Sequence, residues 1–329
     1  MSETQPTTFR KEIYRALRAE MDADPRMLFI GEDVGEYGGA FAVSGDLHEL
    51  YPERVLNAPI SENSYVGMAT GAAMGGHRVV TEIMFMDFIT LAMDQIVNNA
   101  AKVNYMYAGQ LKVPLVIRTP YGGYRGYGPS HSQSLASWFM SVPGLKVVVP
   151  SEASHVGDLL RRSVADENPV LFLEHKLLYD ERLPAGAEDR REMPLGKARV
   201  ARQGGDVSIV TYGLGVKMAR RAAQVLADED GVEAEIVDMV TLKPYDAETV
   251  YRSVRRTGKA VFLEEGVLTG GVGAELCSAV AENCLWELDG GLVRVGAKDL
   301  PIPCATTAEK MVLPSVPEVV RAARKAMSV

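Results

Sequence analysis

The segment NAPISENSYVGMATGAAMGG, residues 57–76, carries a single carboxylate, Glu62, at the mouth of a run of small and apolar residues. Two readings compete. Ser61 can cap a helix that starts at Glu62, and an acid in the first turn gains about 0.3–1 kcal/mol from the helix dipole. Propensity points the other way. Gly67, Gly71, Gly75 and Gly76 each cost about 1 kcal/mol against alanine inside a helix. So weak a helix needs close tertiary packing, which buries its first turn. A carboxyl group buried there keeps its proton and acquires an acid–base task.

His131 is the second chemical residue. It lies in the polar loop Gly128-Pro129-Ser130-His131-Ser132-Gln133, after Tyr121-Gly122-Gly123-Tyr124-Arg125-Gly126-Tyr127. A lone loop histidine is ordinarily structural, but the tyrosines and glycines predict a mobile aromatic loop near a site. By pattern alone, Met84–Phe88 reads as core. No Ser/His/Asp order and no metal-ligand spacing emerges.

Other motifs have plainer readings. Gly213-Leu214-Gly215 follows a predicted strand, as a dinucleotide fingerprint would, with Asp238 at a plausible ribose distance. The third position is Met218, too bulky for the close helix–strand packing that fingerprint needs. Gly31-Glu32-Asp33-Val34 ends the first strand, but no Gly-Lys-Ser/Thr follows, so the pattern favours a structural loop over a phosphate loop.

These residues need a scaffold, and the pattern supplies one. Apolar runs at 27–30, 55–56, 79–84, 114–118, 145–149 and 170–173 read as strands. Periodic stretches at 9–21, 63–74, 87–107 and 153–165 read as helices. The alternation predicts a doubly wound, mostly parallel sheet, and the unbroken apolar strands predict cover on both faces. A Pro/Gly/charge-rich stretch at 184–205 reads as a linker, with extended chain near 193–200. Then strands at 207–212, 234–237, 260–264 and 292–295 alternate with helices at 216–227, 246–256, 273–281 and 316–326, predicting a second, smaller α/β domain.

Composition narrows the function. The 329 residues carry a net charge of −8, with 24% charged and 47% hydrophobic residues. This is an ordinary globular balance with no basic run for nucleic acid. No signal-peptide core and no apolar run of about 18 residues occurs, so the expectation is a cytoplasmic protein without a membrane span. Cys277, Cys284 and Cys304 are the three cysteines; the first two read as small core residues in a reducing compartment.

Taken in order, the motifs resemble a known family. Ala58-Pro59-Ile60-Ser61-Glu62, the glycine–alanine run to Met74, Glu82 to Phe88, Asp94-Gln95-Ile96 with Ala100-Ala101-Lys102, His131-Ser132-Gln133, Pro143-Gly144-Leu145-Lys146-Val147-Val148, Leu263-Glu264-Glu265-Gly266 and Thr269-Gly270-Gly271-Val272-Gly273-Ala274-Glu275 recur across residues 8–327. Together they resemble the β subunit of the thiamine diphosphate-dependent E1 component of 2-oxo acid dehydrogenase complexes, of the pyruvate, branched-chain or acetoin type. The resemblance implies an α/β, transketolase-like fold of two doubly wound, mostly parallel-sheet domains. Residues 1–184 would form the pyrimidine-binding domain, 185–205 a linker and 206–329 the C-terminal domain. It also implies an α2β2 heterotetramer with active sites at α/β interfaces. The E1 α subunit would hold the diphosphate and Mg2+ on a Gly-Asp-Gly motif, which this chain lacks.

The same resemblance assigns roles residue by residue. Glu62 matches the glutamate that hydrogen-bonds N1′ of the aminopyrimidine and, by donating a proton, favours the imino tautomer that activates the cofactor. His131 matches a histidine that orients the intermediate or shuttles a proton while a lipoyl group on the E2 acyltransferase is acylated. Met84 and Phe88 match positions that pack on the pyrimidine. Leu115, Ser163, Val164, Asp166 and Asn168 match a potassium site built largely of backbone carbonyls. The small substrate would be a 2-oxo acid. The tyrosine-rich loop and Cys304, where an aromatic residue is commoner, depart from the pyruvate type. The rival readings are a split thiamine-dependent acyl or ketol transferase of a biosynthetic pathway, and a noncatalytic assembly subunit.

Overall fold

The structure is a computed structural model that describes residues 7–183 and 192–328. It resolves into two compact units, Met1–Tyr121 with Trp138–Leu195, and Gly122–Ser137 with Gly196–Val329. Residues 122–137, which carry His131, therefore group with the second unit. Positions 1–6, 184–191 and 329 lie outside the described residues, and with them the first part of the expected linker.

The first unit is built on β1 (Leu28–Gly31), β2 (Val55–Asn57), β3 (Val79–Glu82), β4 (Leu115–Tyr121), β5 (Lys146–Val148) and β6 (Val170–His175). Its helices are α1 (Phe9–Ala23), α2 (Leu47–Leu50), α3 (Glu62–Met74), α4 (Ala101–Met106) and α6 (Ala153–Ala165), with α5 (Ala136–Met140) crossing the unit boundary. The six strands run parallel in the order β5-β6-β4-β3-β1-β2. Every residue of β3, β4 and β6 is buried, as the unbroken apolar runs require of strands covered on both faces. Phe9, Ile13, Ala16, Leu17 and Met21 line the buried side of α1 at helical spacing.

The chain departs from expectation at 87–107. Instead of one helix it forms a 3-10 turn, Met86–Ala92, then a π-helical stretch, Gln95–Ala100, and only then α4. Local side-chain bonds accompany the break. Asn98 Nδ2 donates to Asp94 Oδ1 at 2.8 Å, and Asn99 Nδ2 to the Asp94 carbonyl at 3.3 Å, offering the backbone alternatives to the α-helical ladder.

Register places a buried ion group in this sheet. Glu82 pairs with Arg118, and Arg118 with Phe172, so all three share a face. Glu174, two residues beyond Phe172, points the same way. Arg118 Nη1 donates to Glu82 Oε2 at 2.7 Å, while Nε and Nη2 form a fork on Glu174, each at 2.7 Å. Tyr179 donates to Glu174 Oε2 at 2.8 Å. Burial works against the guanidinium charge, but the two carboxylates hold Arg118 firmly protonated.

The second unit contains β7 (Arg199–Arg202), β8 (Val207–Thr211), α7 (Gly215–Asp230), β9 (Ala234–Asp238), β10 (Thr241–Lys243), α8 (Ala247–Thr257), β11 (Ala260–Val267), α9 (Val272–Asn283), β12 (Leu292–Ala297), α10 (Thr306–Val312) and α11 (Val316–Met327). Its sheet runs β12-β11-β8-β9-β7, parallel except for β7, the extended piece expected after the linker. Ala219, Ala222, Ala223 and Leu226 of α7 meet Val319, Val320 and Ala323 of α11 in its core. Among the described residues, no helix is long and apolar enough to cross a membrane.

Candidate active site

Strand order locates the site. β1 connects to β2 on one side, and the chain then crosses back to β3 on the other. Such reversals leave a crevice at the carboxyl ends of the strands. Three acids gather there: Glu32 directly after β1, Glu62 at the start of α3 after β2, and Glu82 at the end of β3. Glu62 is 4% exposed and Glu32 2%.

Tyr65, one turn into α3 and 2% exposed, joins these acids. Burial first, then the carboxylates of Glu32, Glu62 and Glu82, drive its phenol pKa up. The same forces push Glu32 up to about 7: burial, then repulsion from Glu62 and from Asp33. Tyr65 Oη approaches Glu32 and partly offsets this rise, but its geometry completes no hydrogen bond. Tyr65 Oη and Glu32 Oε1 are both buried polar atoms without a partner. The Glu62 carboxyl likewise accepts no hydrogen bond from the described residues. Buried polar atoms left unmatched fit a polar ligand.

Ser61 does not act as the expected side-chain cap. Its φ of −162° and ψ of 77° give no cap bond, and its hydroxyl donates to Ser64 Oγ at 2.7 Å instead. The Ser61 carbonyl starts the helix by accepting from Ser64 and Tyr65. The first turn is thus fixed by backbone and burial.

Met84 and Phe88 are half-buried just past β3, and the 3-10 turn that carries Phe88 packs on α3. Phe88 stands edge-on to Phe85 with centroids 5.9 Å apart, and Phe85 meets Phe41 at 5.6 Å. Phe41, Phe85 and Phe88 thus form a continuous aromatic cluster just past β3.

His131 lies in the second unit, half-buried, with Ser130 Oγ 3.0 Å from its Nδ1. The loop that carries it is not loosely attached. Backbone amides of Gly123 and Gly126 donate to the carboxylates of Glu265 and Glu309. The neighbouring Leu263-Glu264-Glu265-Gly266 motif also has a structural job. Glu264 accepts from the Val272 and Gly273 amides at 2.9 and 2.8 Å, capping α9. Burial lifts its pKa to about 7 even against those bonds.

The five positions matched to potassium lie at the start of β4 and around the C-terminal end of α6. A helix C-terminus favours positive charge, and protein cations already gather there. Arg78 Nη1 donates to the Val164 carbonyl at 2.8 Å, and Lys146 Nζ sits 2.7 Å from Asp166 Oδ1. Asn168 N also donates to Asp166 Oδ1, at 3.0 Å. The donor chemistry suits a cation, and side chains supply part of that charge.

The nicotinamide decoy is closed by packing. Asp238 is fully buried and accepts from Arg199 Nε at 2.9 Å, while a Cβ on Gly215 would stand 2.0 Å from Thr211 Oγ1. The glycine turn brings α7 against β8.

Glu32 is the candidate site residue that sequence reasoning set aside as part of a structural loop. A signal existed, since an acid at the carboxyl end of a central parallel strand stands where such sheets bind ligands. Only the strand order shows that β1 flanks the reversal.

Burial also makes Glu32 a group that titrates near neutrality. Its proton is retained in the fold above the ordinary value of 4.5. The associated stability is complete below that value and is lost as pH rises towards about 7. Glu32→Gln cannot ionise, so its thermal midpoint should gain on the parent between pH 5 and pH 8. Melts of the chain at both pH values check this, and a constant difference contradicts it.

Comparison with known proteins agrees with this architecture. Residues 5–181 match the family described as transketolase, pyrimidine binding domain, and residues 196–319 match transketolase, C-terminal domain. The chain is 44% identical over 323 residues to pyruvate dehydrogenase E1 component subunit beta-2, mitochondrial, of Oryza sativa subsp. japonica, covering 97% of this chain and 86% of that protein. It is 39% identical to pyruvate dehydrogenase E1 component subunit beta of Rickettsia bellii, covering 97% and 98%. A solved split-gene transketolase, an inactive beta4 tetramer, superposes with a TM-score of 0.79 at 26% identity, covering 97% of this chain and 98% of that one.

Proposed function

Since this chain belongs to the family of pyruvate dehydrogenase E1 component β subunits, transketolase-like and thiamine diphosphate-dependent, we propose that with an α subunit it decarboxylates a small 2-oxo acid and passes the acyl group to a lipoyl group on E2. The observation that carries this reading is the buried acidic centre at the sheet reversal, with Glu62 at the head of α3 and unmatched polar atoms beside it. Greater identity to the E1 relatives than to the split transketolase favours this over the transferase reading.

Thiamine diphosphate, when bound, supplies the electron sink that decarboxylation requires. Glu62, Met84 and Phe88 are the residues of this chain that would hold its pyrimidine. Met84 and Phe88 exclude water and offer a ring face. Glu62 gives and takes a proton at N1′. Glu32, its carboxyl pushed up to about 7, holds a proton within the centre up to about that pH. His131 orients the acyl group or moves a proton during lipoyl acylation. The diphosphate and Mg2+ fall to the α partner, and the 2-oxo acid is of the pyruvate type named for the relatives.

The test is reconstitution with α. The pair should release CO2 from a 2-oxo acid and acylate a lipoylated carrier. Transfer to an aldehyde instead, with no lipoyl product, would establish the transferase reading.

Potassium is proposed at the backbone carbonyls around Leu115, Ser163, Val164, Asp166 and Asn168. Exchanging potassium chloride for choline chloride at equal ionic strength should lower the thermal midpoint of the assembled enzyme. An unchanged midpoint would mean that Arg78 and Lys146 meet the charge requirement alone.

A further inference from the structure

The loop that carries His131 is conformationally expensive. Gly122, Tyr124, Gly126 and Gly128 have φ of 94°, 65°, 68° and 81°. Tyr124 is not glycine, so its left-handed backbone persists only where surroundings over-determine it. The residues that do so come from remote parts of the same unit. Glu265 Oε1 accepts from the Gly123 amide at 2.6 Å and from Ser134 Oγ at 3.1 Å. It thereby ties the two ends of the loop to one oxygen. Glu309 Oε2 accepts from the Gly126 amide at 3.0 Å, and Tyr124 Oη donates to the Pro314 carbonyl at 2.8 Å.

Glu309 is 0% exposed, and its Oε1 has no partner. Burying a carboxylate that is only half satisfied is costly. A fold that needed only helix α10 at this place would do better with an apolar side chain. Space is equally constrained, since a Cβ on Gly123 would stand 2.5 Å from Leu313 Cδ1 and 3.2 Å from Glu309 Oε1. The two acids therefore grip the backbone on either side of Tyr124, upstream of His131.

We propose that Glu265 and Glu309 are positioning residues for His131, clamping the loop so that lipoyl acylation depends on them while decarboxylation does not. The clause on acylation rests on the role proposed above for His131; the clamp itself does not.

The experiment uses the assembled α/β enzyme with Glu265→Ala, Glu309→Ala and the conservative Glu265→Gln and Glu309→Gln. Hydrogen–deuterium exchange over 122–134 reads the clamp directly. Exchange at the Gly123 and Gly126 amides should accelerate about tenfold or more in the alanine variants, the scale of losing a hydrogen bond to a charged group. The glutamine variants, which keep an acceptor oxygen, should restore most of the protection. In parallel, acylation of a lipoylated domain should fall about tenfold while decarboxylation with ferricyanide as oxidant stays within about threefold of the parent. Unchanged exchange overturns the clamp. Equal loss of both activities, following a lowered thermal midpoint, overturns the positioning role. His131→Ala with full lipoyl acylation would instead overturn the assignment of His131, while the exchange result for the clamp would stand.

Discussion

Glu62→Gln in the assembled α/β enzyme should lower CO2 release from a 2-oxo acid by about 10²–10³-fold, the range of losing a positioned acid–base group. Glutamine keeps the volume and a hydrogen-bonding head, but its amide neither gives nor takes a proton in the neutral range. The fold should survive the change. Glu62 accepts no hydrogen bond from the described residues, and its carboxylate is one cause of the raised Glu32 pKa. Removing that repulsion should leave the thermal midpoint within about 2 °C of the parent. A single-turnover assay that follows CO2 separates chemistry from later steps. Full decarboxylation by the variant would remove Glu62 from the mechanism and favour the noncatalytic reading.

Arg118→Met should be the most damaging single change to stability. It leaves Glu82 and Glu174 buried without their shared cation, at a cost of about 3–5 kcal/mol. For a domain of this size that lowers the melting midpoint by roughly 10 °C. Effects should reach the acidic centre as well. A Cβ on Gly39 would stand 2.6 Å from Glu82 Oε1, so the loop after Glu32 rests against the side chain that Arg118 holds. Loss of the guanidinium should loosen that loop and lower decarboxylation even at temperatures where the variant is folded. Arg118→Lys should recover only part of the stability, because an ammonium cannot form the fork on Glu174. Calorimetry on the three proteins decides the matter, and a midpoint within about 2 °C of the parent for Arg118→Met would contradict the account.

Much of the fold was legible along the chain because its signals are local. The helix read at 153–165 is α6, Ala153–Ala165, since apolar spacing of 3–4 residues survives into the folded state. Glu62 was legible for a different reason. A glycine–alanine helix is too weak to stand exposed, and the acid at its head had to be buried. The helix read over 87–107 failed because Asp94, Asn98 and Asn99 bond locally in ways that periodicity does not register.

What only the tertiary structure decided are meetings between distant segments. Glu32 reads as part of a loop until strand order places β1 at the reversal beside α3. Arg118 gains its role from sheet register, across 36 residues to Glu82 and 56 to Glu174. The His131 loop is fixed by Glu265, 142 residues from Gly123. The sequence by itself determined most of the helices and strands and marked Glu62 as an acid out of place, because burial and propensity act within a few residues. Which acids share a pocket and which carboxylates hold a loop depend on crossover order and register, and those are settled only when segments far apart in the chain pack together.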